Sequence, residues 1–213
     1  MCLAAIAGAR SVKPKPDILD AIRPTLRYRC NIALLDYLKS FRKRQTVTIL
    51  GQQYLHCFRK ARRAKHWDEE MLLPLKRKRP PNPHFPASQE LMEFYSAFDG
   101  LRESEPPLCG NFVPCAEVTT LEKEWSRSEI EGFLDDLNPK ERADFVRYIR
   151  CPQILWAPNG DQIVQMPDGK YAWWVLGEAL LRPVANSFPQ FLKHYLAHCA
   201  VGDGHPFDSY GRD

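Results

Sequence analysis

Three short runs between residues 154 and 175 constrain the fold more than any other feature of the chain. Ile154-Leu-Trp-Ala157 leads into Pro158-Asn-Gly-Asp161, Gln162-Ile-Val-Gln-Met166 leads into Pro167-Asp-Gly169, and Lys170-Tyr-Ala-Trp-Trp-Val175 follows. β-Branched and aromatic residues favour extended backbone, and Asn-Gly and Asp-Gly supply positive φ where strands reverse. The pattern predicts an antiparallel three-strand meander. Adjacent Trp173 and Trp174 should then point to opposite faces of the sheet.

The residues around this meander predict helices. Ser88 is placed to N-cap a helix carrying Leu91, Phe94, Tyr95 and Phe98 on its apolar face, with Gly100 as a left-handed stop. A strand is expected around Asn111 to Val118, where Pro114 marks an edge or bulge. Acidic helical stretches follow, and Asn138-Pro-Lys-Glu141 has the capping residue, first-turn Pro and third-position Glu of a helix start. Ser187 caps a last helix with Phe188, Phe191, Leu192, Tyr195 and Cys199 on one face. The sum is an α+β fold, an antiparallel or mixed sheet with flanking helices.

The first half is read as a basic, mainly helical region over 1–73. Residues 1–16 read as a tail. A helical pattern starts at Asp17 and is interrupted at Pro24, which lacks a donor N–H. Leu26, Cys30, Leu34, Leu38 and Phe41 recur at helical spacing, and Thr46 to Leu50 reads as a short strand before Gly51. Gln52 to His66 is expected to be a second helix, with Leu55 and Phe58 on its apolar side. Residues 74–86, with five prolines and the run Lys76-Arg77-Lys78-Arg79, read as a linker. It precedes an α+β domain over 87–200 and a tail over 201–213.

The net charge of +4 over 213 residues hides a split. Residues 1–86 carry 19 Lys/Arg against 6 Asp/Glu, a net of +13, while 87–213 carry 11 against 20, a net of −9. Such asymmetry points to two regions facing different partners. Hydrophobic content of 44% and charged content of 26% exclude a wholly disordered chain and a collagen. Seven scattered cysteines without a C-x-x-C pair read as reduced thiols and not as a disulfide framework. No apolar run is long enough to span a membrane, and no basic residue precedes the short apolar start, so the expectation is a cytoplasmic protein without a secretory leader.

Sequence support for catalysis is thin. His194 and His198 lie four apart on one helix face, but Tyr195 stands where a zinc protease carries Glu, so surface histidines are the favoured reading and no metal is expected. Cys2 is followed by Leu3 where N-terminal-nucleophile amidotransferases resemble one another in a glycine. Phosphate-cradling glycine loops and nucleophile elbows are absent from the sequence. Neither enzyme nor cofactor is expected. The basic half offers a different chemistry, since Arg42, Lys43, Arg44, Arg59, Lys60, Arg62, Arg63, Lys65, Lys76, Arg77, Lys78 and Arg79 could neutralise phosphates in a salt-dependent way. There the interleaved Tyr54 and Phe58, at helical spacing, read as core and not as base-stacking rings.

The ordered motifs of the second half carry a resemblance. Leu91-Met-Glu-Phe-Tyr-Ser-Ala-Phe-Asp-Gly100, the turn and strand Asn159-Gly-Asp-Gln-Ile-Val164, the aromatic strand 170–175 and Val184-Ala-Asn-Ser-Phe-Pro-Gln-Phe-Leu192 together resemble the SUKH superfamily, over about residues 86–200. That family includes Smi/Knr-type cell-wall-assembly regulators and many toxin-immunity proteins. The helical insert around 119–150 is longer than the family's usual one, and residues 1–80 have no counterpart. The resemblance implies a non-enzymatic module that binds a protein partner, a toxin neutralised by occlusion being the leading case. Partner-binding candidates on this reading are Trp173, Trp174, Asp99 and Asp161. The plain alternatives are core packing for the tryptophans and a turn hydrogen bond for Asp161.

Overall fold

The computed structural model describes residues 17–60, 69–75, 88–103, 110–157 and 159–201. The expected tail at 1–16, all but Val201 of the expected tail at 201–213, most of the expected linker, and Arg62, Arg63, Lys65, Lys76, Arg77, Lys78 and Arg79 lie outside them. The fold is α+β, with helices and two antiparallel sheets. Among the described residues no helix is long and apolar enough to cross a membrane.

The chain opens with α1 (Ile18–Ile22), whose N-terminus Asp17 caps by accepting from Leu19 N–H. A 3-10 turn, Arg23–Thr25, takes over at Pro24. Helix α2 (Arg29–Lys39) follows, burying Leu34, Leu35 and Leu38 at helical spacing. Strands β1 (Lys43–Ile49), β2 (Gln52–Arg59) and β3 (Glu69–Pro74) come next, in a sheet completed by β4 (Arg102–Glu103).

Strand β2 corrects the expected second helix, and with it the mainly helical reading of the first half. Leu50 (φ 48°) and Gly51 (φ 76°) reverse the chain in a two-residue hairpin turn, so Lys43 pairs with Phe58 and Ile49 with Gln52. Leu55 and Cys57 then face the core while Tyr54, His56 and Phe58 face away, a period of two that the three-residue spacing of Leu55 and Phe58 disguised.

Helix α3 (Gln89–Ala97) starts at Ser88, whose Oγ accepts from Leu91 N–H at 3.2 Å. Strand β5 (Asn111–Phe112) is shorter than expected. Cys115–Glu117 already forms a 3-10 turn, since Pro114 has no N–H to continue the ladder. Leu101 and Phe112 exchange backbone hydrogen bonds at 3.4 and 2.8 Å, which links the start of β4 to β5. The insert is helical: α4 (Leu121–Glu124), α5 (Arg127–Asp135) and α6 (Pro139–Tyr148), the last two opened by capping boxes at Ser126 and Asn138.

The second sheet runs β5-β6-β7-β8-β9, with β6 (Gln153–Trp156), β7 (Gln162–Gln165), β8 (Tyr171–Val175) and β9 (Leu180–Ala185). The expected meander is β6–β8. Strand β9 was not expected, because Pro183 demotes a strand reading except at an edge, and the edge is where β9 lies. Helix α7 (Phe188–Val201) ends the described chain, with Ser187 Oγ accepting from Gln190 N–H.

Helices cover this sheet on both faces. On one, Phe94 of α3 and Phe191 and Tyr195 of α7 meet Phe112, Ile163 and Trp173. On the other, Phe145 and Tyr148 of α6 meet Val164, Ala172 and Trp174. The first cluster also takes in Leu34 and Leu38 of α2, Leu55 and Cys57 of β2, and Met71 and Leu73 of β3. The core therefore crosses the boundaries expected at 74 and 87. Glu93 of α3 adds a polar tie, accepting from Arg27 and Tyr28 N–H at the start of α2 and from Asn31 Nδ2.

Candidate functional site

Of the four residues expected to grip a partner, Trp173, Trp174 and Asp161 are buried and Asp99 is half-buried. Trp174 is 1% exposed and stacks on Tyr148, with ring centroids 4.3 Å apart. Trp173 is 4% exposed, donates from Nε1 to Asp161 Oδ2 at 3.0 Å and lies beneath the Arg182 guanidinium. They do point to opposite faces, but helices cover both faces, so the half-exposed anchor expected at one of them is not there. Asp161 is itself buried and accepts also from Asn159 Nδ2 at 2.7 Å and Leu176 N–H at 2.9 Å, which pins the β6–β7 turn to the end of β8. Asp99 adopts φ 47° after α3, and its Oδ1 accepts from Cys115 N–H. The exposed large apolar side chains of this sheet are Trp156 and Leu176.

Positive charge gathers at the other sheet. The antiparallel register that sets Lys43 against Phe58 brings the residues before β1 beside those that end β2. A cleft of about 430 Å³ forms there, lined by Ser40, Arg42, Lys43, Phe58, Arg59 and Lys60. Four of these six are cations, and none is a carboxylate. Neighbouring cations are already matched: Lys39 pairs with Asp20 at 2.5 Å, and Arg44 pairs with Asp17 at 2.6 Å while donating to Lys39 O at the end of α2. Arg42, Lys43, Arg59 and Lys60 form no ion pair among the described side chains.

Arg59 is the most fixed of the four. Its guanidinium carbon lies 4.4 Å from the Phe41 ring centroid and 5.6 Å from that of Tyr37, and one terminal nitrogen donates to Ser40 Oγ. Ser40 is held in turn by donating to Tyr37 O at 2.5 Å. The Nε–H of Arg59 is buried with no acceptor among the described residues. A planar fork held against two rings suits an oxyanion, because little side-chain freedom remains to be lost on binding. Lys43 adds a mobile charge whose Nζ is 5.7 Å from the Phe58 centroid.

Beyond the cleft, Tyr54, His56 and Phe58 run along the outer face of β2, and none belongs to either core. His56 bridges Gln45 and Glu70 on the same face, its Nε2 lying 3.1 Å from Glu70 Oε2. Of the residues expected to meet phosphate, Arg42, Lys43, Arg44, Arg59 and Lys60 are described, and all but Arg44 line the cleft. The approach of the two clusters depends on a strand pairing that the sequence pattern did not reveal.

Two of the described cysteines are held as thiols. Burial pushes the Cys57 thiol up to about 12 and the Cys151 thiol up to about 11, which keeps both protonated at neutral pH. Among the described residues no group of three or more His, Cys, Asp or Glu is placed to hold a metal ion. No protein-family model, curated protein or solved structure matches the chain.

Proposed function

We propose that this is a non-enzymatic binding protein that holds the phosphate backbone of a nucleic acid in the basic cleft at the start of β1 and the end of β2. The observation that carries the reading is the cleft itself, with four cations and no carboxylate in its described lining. Phosphate contacts of this kind supply sequence-independent affinity through release of condensed counterions. Arg59 would act as the pre-oriented fork, and Arg42, Lys43 and Lys60 as charges that follow the backbone. The net of +13 over residues 1–86 supports long-range attraction of a polyanion. The toxin-occluding reading draws less support, because three of the four side chains it relied on, Trp173, Trp174 and Asp161, are buried.

The test is fluorescence anisotropy of a labelled oligonucleotide titrated with the full chain and with Arg42→Glu/Lys43→Glu. Both substituted side chains are exposed, so the double variant should fold as the parent does. Binding weakened by about tenfold or more is expected, since two phosphate contacts are replaced by repulsion. Equal binding by both proteins would remove the cleft from the interface. Capture of an acidic polypeptide, with no oligonucleotide bound, would replace the nucleic acid by an acidic protein.

A further inference from the structure

We propose that the outer face of β2 is a stacking platform, and that it makes the cleft select single-stranded over double-stranded nucleic acid. The inference rests on the phosphate-binding reading of the cleft and adds the form of the ligand. Tyr54, His56 and Phe58 alternate with the buried Leu55 and Cys57, so three rings share one face of one strand. Residues two apart on a strand are separated by about 7 Å. Bases stacked in a duplex rise by only about 3.4 Å along each strand. Neighbouring rings can therefore take neighbouring bases only from a strand that is drawn out and unstacked.

Phe58 joins the two features, because it belongs both to the ring stripe and to the cleft lining. A phosphate held by Arg59 and Lys43 sets the adjacent base over Phe58, and the strand then continues along β2 toward His56 and Tyr54. The Lys43 ammonium near the Phe58 ring meets the phosphate flanking that base. Gln45, opposite His56 in the β1–β2 register, offers an amide to base edges on the same face. Stacking of this kind accepts any base, because every base has a π-face, so affinity should depend on strandedness more than on sequence.

The experiment compares a labelled oligothymidylate with a duplex of the same length, using the full chain, Tyr54→Ala and Tyr54→Phe. Tyr54 belongs to neither core and is not part of the cleft lining, so its truncation leaves the phosphate contacts in place. The expected result is tighter binding of the single strand by about tenfold, a loss of about that factor in Tyr54→Ala, and retention in Tyr54→Phe. Duplex binding should not change with either substitution. Equal affinity for both forms, duplex preference, or a Tyr54→Ala loss shared equally by both forms overturns the platform while the cleft stands. Failure of wild type to bind either form removes the cleft reading as well.

Discussion

Asp161 shows how one side chain can be essential without facing a partner. Its carboxylate takes hydrogen bonds from Trp173 Nε1, Asn159 Nδ2 and Leu176 N–H, so removing it leaves buried donors without an acceptor. Asp161→Ala should cost roughly 3 kcal/mol in urea unfolding, and a loss under about 1 kcal/mol would show that the turn finds other partners. Cys57 supports a second prediction. Burial raises its thiol from 9.0 to about 12, so the folded state keeps a proton that the unfolded chain releases. The stability this gives is whole below about pH 9 and is lost as pH climbs toward 12, with a slope approaching 1.4 kcal/mol per pH unit. Unfolding followed from pH 8 to 10 should show this fall, with a smaller slope in Cys57→Ala, and equal slopes in the two proteins would contradict it. The residue-level chemistry of the sequence was legible where it was local, as at Ser88, Asn138 and Ser187. The burial of Trp173 and Trp174 was not, because it depends on a second helical layer supplied by α6.

At the scale of elements, the β1–β2 hairpin is the instructive case. The meander β6–β8 could be read in advance because its turns carry Asn-Gly and Asp-Gly. The turn between β1 and β2 carries Leu-Gly instead. Leu50 sits fully exposed at φ 48°, a conformation costly for a residue with a bulky side chain and no local hydrogen bond. Without a recognisable turn signal, Gln52 to His66 looked helical, and Tyr54 and Phe58 looked like core. Leu50→Asn should raise stability by about 1 kcal/mol in denaturant unfolding, because Asn tolerates the left-handed region and forms the turn pair expected here. A loss of stability would mean that Leu50 makes contacts beyond the described residues. Strand β9 was missed for a related reason, since Arg182 and Pro183 break its alternation and only its place at the sheet edge tolerates them.

For the whole molecule, the charge split visible in the sequence and the core seen in the structure divide the chain differently. Residues 1–86 and 87–213 differ by sign of charge, yet α2, β2 and β3 share one apolar cluster with α3, α7 and the second sheet. The described part of the basic half therefore shares its core with the acidic one, and Arg42, Lys43, Arg59 and Lys60 line one cleft. Sequence reasoning found the charge and the four cations Arg42, Lys43, Arg59 and Lys60. Their convergence in one cleft required the register of two strands. The most direct measurement is the salt dependence of oligonucleotide affinity, taken on the full chain and on Arg42→Glu/Lys43→Glu between about 50 and 200 mM salt. A steep linear fall of log affinity with log salt, made shallower by roughly 1 to 2 in slope in the double variant, is the result predicted. A salt-independent affinity, or identical slopes for the two proteins, would contradict the assignment of the cleft to phosphate.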